Sequence, residues 1–178
     1  MNKFFKMLSF ITMFLMIALT AGCEDSAASD STKPLKKFPT FNSKDLAGNQ
    51  ITNDIFAKKK LTVVNIWGTF CPPCIAEMPE LAQWSEKMSN DVQLIGIVCD
   101  VNDFNDVETI NEAKKILGDS NAKFVNIIPN SEFENFLSEI EAVPTTIFVD
   151  GSGNILNKKI VGADVDGYKD FVKDFLNE

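Results

Sequence analysis

The chain has 178 residues, a formal net charge of −8, seventeen lysines, no arginine, no histidine and four cysteines. This acidic balance argues against nucleic acid or anionic lipid headgroups as partners. Without histidine there is no Ser-His-Asp triad and no imidazole metal site, and without arginine there is no bidentate phosphate clamp.

In chain order, residues 1–22 read as a cleaved export signal. Lys3 and Lys6 precede an apolar run from Met7 to about Leu19, which ends in Thr20-Ala21-Gly22-Cys23. The run is shorter than the ~20 residues a membrane-spanning helix needs. Removing it takes the charge from −8 to −10, because Lys3 and Lys6 are its only charged residues. Residues 23–37, rich in Ser, Ala, Asp and Lys, read as a flexible tether. Residues 38–178 then form one domain of ordinary size, large enough for its own core.

Within that domain, Phe38–Ile51 with a turn at Ala47-Gly48-Asn49 predicts a β-hairpin. Leu61–Trp67 and Val92–Cys99 are continuous apolar runs, expected as strands buried on both faces. Helical periodicity predicts a helix from Pro72 to about Ser89 and another from Val107 to about Gly118. Further helices are expected over Phe133–Ile140 and over Val165–Leu176. Lys123–Ile128 and Thr145–Val149 complete the strands, and a turn at 150–154 leads into Ile155–Val161. The alternation gives an α/β fold, a mixed central sheet flanked by helices.

The most informative stretch is Trp67-Gly68-Thr69-Phe70-Cys71-Pro72-Pro73-Cys74, where the first core strand passes into a helix. Unpaired N–H groups and the positive end of the helix dipole stabilise a thiolate there, and the thiolate is the attacking species in disulfide exchange. Cys71 falls at the N-cap and is the candidate nucleophile; Cys74, one turn inside, is the candidate resolving thiol. Pro72 is tolerated at the first helical position because its missing N–H is not needed there. A structural zinc clip would need two more Cys or His ligands than this pair supplies, so no metal is expected. No phosphate-binding glycine loop for a nicotinamide or flavin is present, so no cofactor is expected. Glu77, three residues after Cys74, can share its helix face and serve as base; Glu80 is the competitor. Cys99 reads as a small apolar core residue, with a regulatory disulfide as the alternative. Trp84 reads as packing, and Trp67 as packing and a wall of the site.

These motifs resemble the thioredoxin fold, and most closely the TlpA/ResA-like branch of membrane-tethered thiol–disulfide oxidoreductases. Trp67, Phe70, Cys71 and Cys74 match its W-x-x-[WF]-C-x-x-C run, Pro73 its proline before the second cysteine, and Pro79 its kinking proline. Val143-Pro144-Thr145-Thr146 matches its cis-proline loop, and the helix and strand between about Val107 and Ile128 its inserted element. Asn65 stands where plain thioredoxins carry a buried aspartate, which leaves the base role to Glu77. The resemblance implies that Trp67, Phe70, Pro72, Pro73, Val143 and Pro144 border the client. It also implies a reductase of exported disulfide proteins, among them apocytochrome c or methionine sulfoxide reductase, recharged by a CcdA/DsbD-type membrane thiol donor. Thr20-Ala21-Gly22-Cys23 resembles a bacterial lipoprotein signal, which implies lipidation at Cys23 and anchoring to the outer face of the cell membrane.

A thiol peroxidase of peroxiredoxin type is disfavoured because Cys71 occupies the Ser/Thr place of that motif and arginine is absent. A non-enzymatic partner-binding lipoprotein is disfavoured by the intact Cys-Pro-Pro-Cys.

Overall fold

The computed structural model describes residues 30–177. The expected export signal and Cys23 lie outside the described residues. In chain order the elements are β1 (Pro34–Lys37), β2 (Asn42–Asp45), β3 (Gln50–Thr52), β4 (Leu61–Trp67), α1 (Pro72–Ser85) and β5 (Val92–Val98). They continue with α2 (Val107–Asp119), β6 (Val125–Ile128), α3 (Glu134–Leu137), β7 (Thr145–Asp150), β8 (Asn154–Val161) and α4 (Val165–Leu176). One mixed sheet runs β1-β8-β7-β4-β5-β6-β2-β3. The central strands β4, β5 and β6 are parallel, and β7 lies antiparallel on the other side of β4.

All seven residues of β4 are buried, because both faces of the sheet are covered. On one face Leu61, Val63 and Trp67 pack with Cys74, Met78 and Leu81 of α1, Ala113 of α2 and Phe171 of α4. On the other, Val64, Ile66, Ile95 and Ile97 meet Phe38, Phe41, Phe56, Phe133 and Phe136. Phe38 is in edge contact with Phe56 at 4.9 Å, and Phe41 is tilted on Phe133 at the same separation.

The sequence reading needs correction in three places. The stretch expected as a tether ends before Pro34, since Pro34–Lys37 is an edge strand antiparallel to β8. The helix expected over Phe133–Ile140 is a 3-10 turn, Ser131–Phe133, followed by the four-residue α3. Its periodic apolar residues are real, but aromatic rings rather than a long helix cover that face. α1 ends at Ser85, short of the expected Ser89.

One row of the sheet is polar on the helix-covered face. Thr146, Asn65, Gly96 and Asn126 are register partners across β7, β4, β5 and β6. Buried polar groups in such a row must find partners. Trp67 Nε1 donates to Asn126 Oδ1 at 2.9 Å, directly above Gly96. A Cβ at Gly96 would come within 1.9 Å of that Oδ1. Gly96→Ala is therefore expected to cost about 3 kcal/mol through overpacking and the broken buried hydrogen bond. Urea unfolding of the oxidised protein reads this directly, and the loss should shrink in an Asn126→Ala background.

Candidate active site

β4 delivers the chain to the site through a short turn. The Cys71 N–H donates to the Gly68 carbonyl at 3.2 Å, and Thr69 is held by Asp100 just beyond β5. Asp100 Oδ2 accepts from the Thr69 N–H at 3.0 Å and from its hydroxyl at 2.5 Å. Cys71 is the N-cap of α1, with extended backbone at φ −102° and ψ 100°. Its Sγ accepts the Cys74 N–H at 3.3 Å. Pro72 and Pro73 fill the first two helical positions, so neither offers a backbone donor to that sulfur.

The two cysteines form a disulfide with S–S 2.07 Å and Cα–Cα 5.3 Å. Cys71 keeps 4% of its surface and Cys74 none. Cys71 is thus the more exposed residue of the pair. Cys71 Sγ lies 3.4 Å from the carbonyl oxygen of Val143. In the oxidised pair no hydrogen sits between them, and reduction supplies an S–H that can donate. The Val143–Pro144 peptide is cis.

A groove of about 520 Å³ opens beside the disulfide. Phe70, Cys71, Pro72 and Pro73 line it from the entry to α1, Leu137, Ile140 and Val143 from the segment before β7, and Cys99 from the end of β5. Phe70 is 67% exposed, an unusual position for a large apolar ring. Trp67 is not on this surface. It points to the helix-covered side of the sheet, like Leu61 and Val63, and supports the site from beneath. Pro144 is buried. Cys99 is half-buried, and burial, followed by the Asp100 charge, pushes its thiol up to about 11. It is thus protonated at neutral pH and a poor nucleophile.

Glu77 lies on the buried side of α1, 5% exposed. Its Oε1 accepts from Asn65 Nδ2 at 2.9 Å, and its Oε2 lies 3.1 Å from the Tyr168 hydroxyl on α4. Burial raises its pKa to about 7, against the opposing pull of the hydrogen bonds from Asn65 and Tyr168. A carboxyl poised near neutrality can both accept and return a proton. Glu80 is exposed and ion-paired with Lys169.

Asn65 donates also to Thr146 Oγ1 at 3.1 Å, while its own buried Oδ1 has no partner. Asp100, Asn126 and Tyr168 support the site with no motif to mark them, as does Thr146 beyond its place in the Val143–Thr146 loop. The available signal was a polar residue inside an apolar run; in a strand covered on both faces, such a residue needs a specific partner.

Residues 33–172 match the Redoxin family model. The chain belongs to the Redoxin family. Among curated relatives, the thiol:disulfide interchange protein DsbE of Haemophilus influenzae is 28% identical over 148 residues, spanning 82% of this chain and 76% of that protein. The thiol-disulfide oxidoreductase ResA of Bacillus thuringiensis subsp. konkukian is 30% identical over 125 residues, spanning 69% and 67%. A thioredoxin-family thiol:disulfide interchange protein of Chlorobium tepidum superposes with a TM-score of 0.58 at 24% identity, over 74% of this chain and 88% of that one. StoA from Bacillus subtilis does so with 0.58 at 22%, over 79% and 98%. These structures establish the thioredoxin-like fold. Together with the Cys71–Cys74 pair, the relatives make this Redoxin-family chain a thiol–disulfide oxidoreductase of the ResA/DsbE kind.

Proposed function

We propose that this oxidoreductase works outside the cytoplasm as a reductase, held to the membrane by a lipid on Cys23. The reading rests above all on one juxtaposition: Cys71 Sγ caps α1, borders the groove and touches the Val143 carbonyl. An extended client segment seated along Val143 would present its disulfide to Cys71. The Cys71 thiolate attacks one client sulfur, forms a mixed disulfide and expels the other sulfur as a thiolate. Glu77 takes the proton from Cys74, whose thiolate then attacks Cys71 Sγ. The client leaves with two electrons and the enzyme is left as the Cys71–Cys74 disulfide. A CcdA/DsbD-type membrane thiol donor restores the dithiol. Exported proteins with reducible cysteine pairs are the client class, apocytochrome c and methionine sulfoxide reductase among them.

Direction is set by potential. We expect a value nearer the roughly −270 mV of thioredoxin than the roughly −120 mV of DsbA. Equilibration against glutathione and dithiothreitol buffers measures it; a value close to DsbA's would make the protein an oxidant. Trapping with Cys74→Ala in cells should leave exported proteins bound to Cys71. Recovery of only cytoplasmic adducts, or equal membrane retention of Cys23→Ala, would overturn the placement.

A further inference from the structure

The Tyr168 hydroxyl has more prospective partners than hydrogens to give them. The Tyr168 oxygen has three polar neighbours. It receives the Asp164 N–H at 3.3 Å, and lies 2.9 Å from the Gly162 carbonyl and 3.1 Å from Glu77 Oε2. The hydroxyl has one hydrogen, yet the Gly162 carbonyl and an ionised Glu77 both need it. With Glu77 protonated on Oε2 the conflict disappears. Glu77 then donates to the Tyr168 oxygen, Tyr168 donates to Gly162, and Oε1 still accepts from Asn65.

We propose that Tyr168 is the positioning residue for the proton that the exchange reaction moves. In the oxidised protein its oxygen holds that proton on Glu77 Oε2. When Glu77 ionises, the tyrosine hydrogen turns from the Gly162 carbonyl to the carboxylate. The proposal rests on Glu77 being the base. Each turnover fits the count: the proton lost by Cys74 on oxidation arrives at Oε2, where an acceptor is already aimed. No electrons move in this step. Tyr168 stays un-ionised throughout, since burial pushes its own pKa up to about 12. The charged and titratable groups facing Glu77 are Tyr168 from α4 and Glu80 on its own helix, whose charge is paired with Lys169. Asn65 on β4 and Thr146 on β7, which close the network, are neutral.

The chain contains a single tyrosine, so its vibrational bands report this hydroxyl alone. Infrared difference spectra of the oxidised full chain, titrated from pH 5 to 9, should show two events with one midpoint near 7. One is loss of the Glu77 carboxylic C=O band; the other is a shift of the tyrosine C–O band as the hydroxyl changes acceptor. Glu77→Gln should abolish both. Tyr168→Phe should move the carboxyl midpoint up by about one pH unit, because the anion loses a charge-assisted donor that the acid needs less. A tyrosine band that stays flat while the carboxyl titrates, or an unmoved midpoint in Tyr168→Phe, overturns the role of Tyr168 and leaves Glu77 as the base. A carboxyl band that never titrates between pH 5 and 9 overturns both. The wild-type spectra decide the question even should Tyr168→Phe fold poorly.

Discussion

Cys71→Ser is expected to lose disulfide-reducing activity by more than roughly a thousandfold, since a serine hydroxyl is a far weaker nucleophile toward a disulfide sulfur than a thiol or thiolate. Cys74→Ser should behave differently. Its attacking sulfur is intact, so it should consume one client per chain and stop as a mixed disulfide. The asymmetry follows from position. Cys71 caps α1 and borders the groove, while Cys74 is fully buried behind it. Single-turnover reduction of a disulfide peptide, with mass analysis of the adduct, separates the two. An adduct on Cys74 in the Cys71→Ser protein would reverse the assignment of roles.

Glu77→Gln should stabilise the oxidised protein, and only above acidic pH. The folded carboxyl titrates near 7 and the unfolded one near 4.5. Between those values the folded state holds more protons than the unfolded state, so stability falls as pH rises through the window. At pH 8 the whole deficit is present, about 3 kcal/mol, and below pH 4.5 it vanishes. Glutamine keeps the acceptor for Asn65 and supplies an N–H toward the Tyr168 oxygen, as the neutral acid does. The melting temperature of the variant should therefore exceed the wild type's by roughly 8 °C at pH 8 and match it at pH 4. The same substitution should slow resolution of the mixed disulfide by about a hundredfold, because an amide cannot take the Cys74 proton. Equal melting curves at both pH values would show that Glu77 is ionised at no cost, and so is not the tuned group described here.

Much of this was legible in the sequence because it is written in local pattern. β4 and β5 stand out as apolar runs, and α4 as an amphipathic stripe ending in Phe175 and Leu176. The Cys71–Cys74 spacing and the offset to Glu77 place the thiols and the carboxyl on one helix. β1 was hidden because its four residues are all exposed; only pairing with a strand some 120 residues away defines it. The short α3 was over-read because Phe133, Phe136 and Ile140 have helical spacing but belong to an aromatic cluster that needs no helix. Thr146 and Tyr168 give no sign of their partners for a related reason. Each is a polar group carried on an otherwise apolar face, 81 residues from Asn65 and 91 from Glu77 respectively, and no periodicity reports such a meeting.

The paired prolines at the mouth of α1 also bear on which way electrons flow. A helix entrance ordinarily surrounds an anion with several backbone hydrogens; here two rings have removed theirs and Cys74 alone contributes. Strong oxidants of this fold owe their appetite for electrons to a reduced form made comfortable by such donors. A sulfur anion with fewer such donors gains less from staying reduced, which favours the reducing direction proposed above.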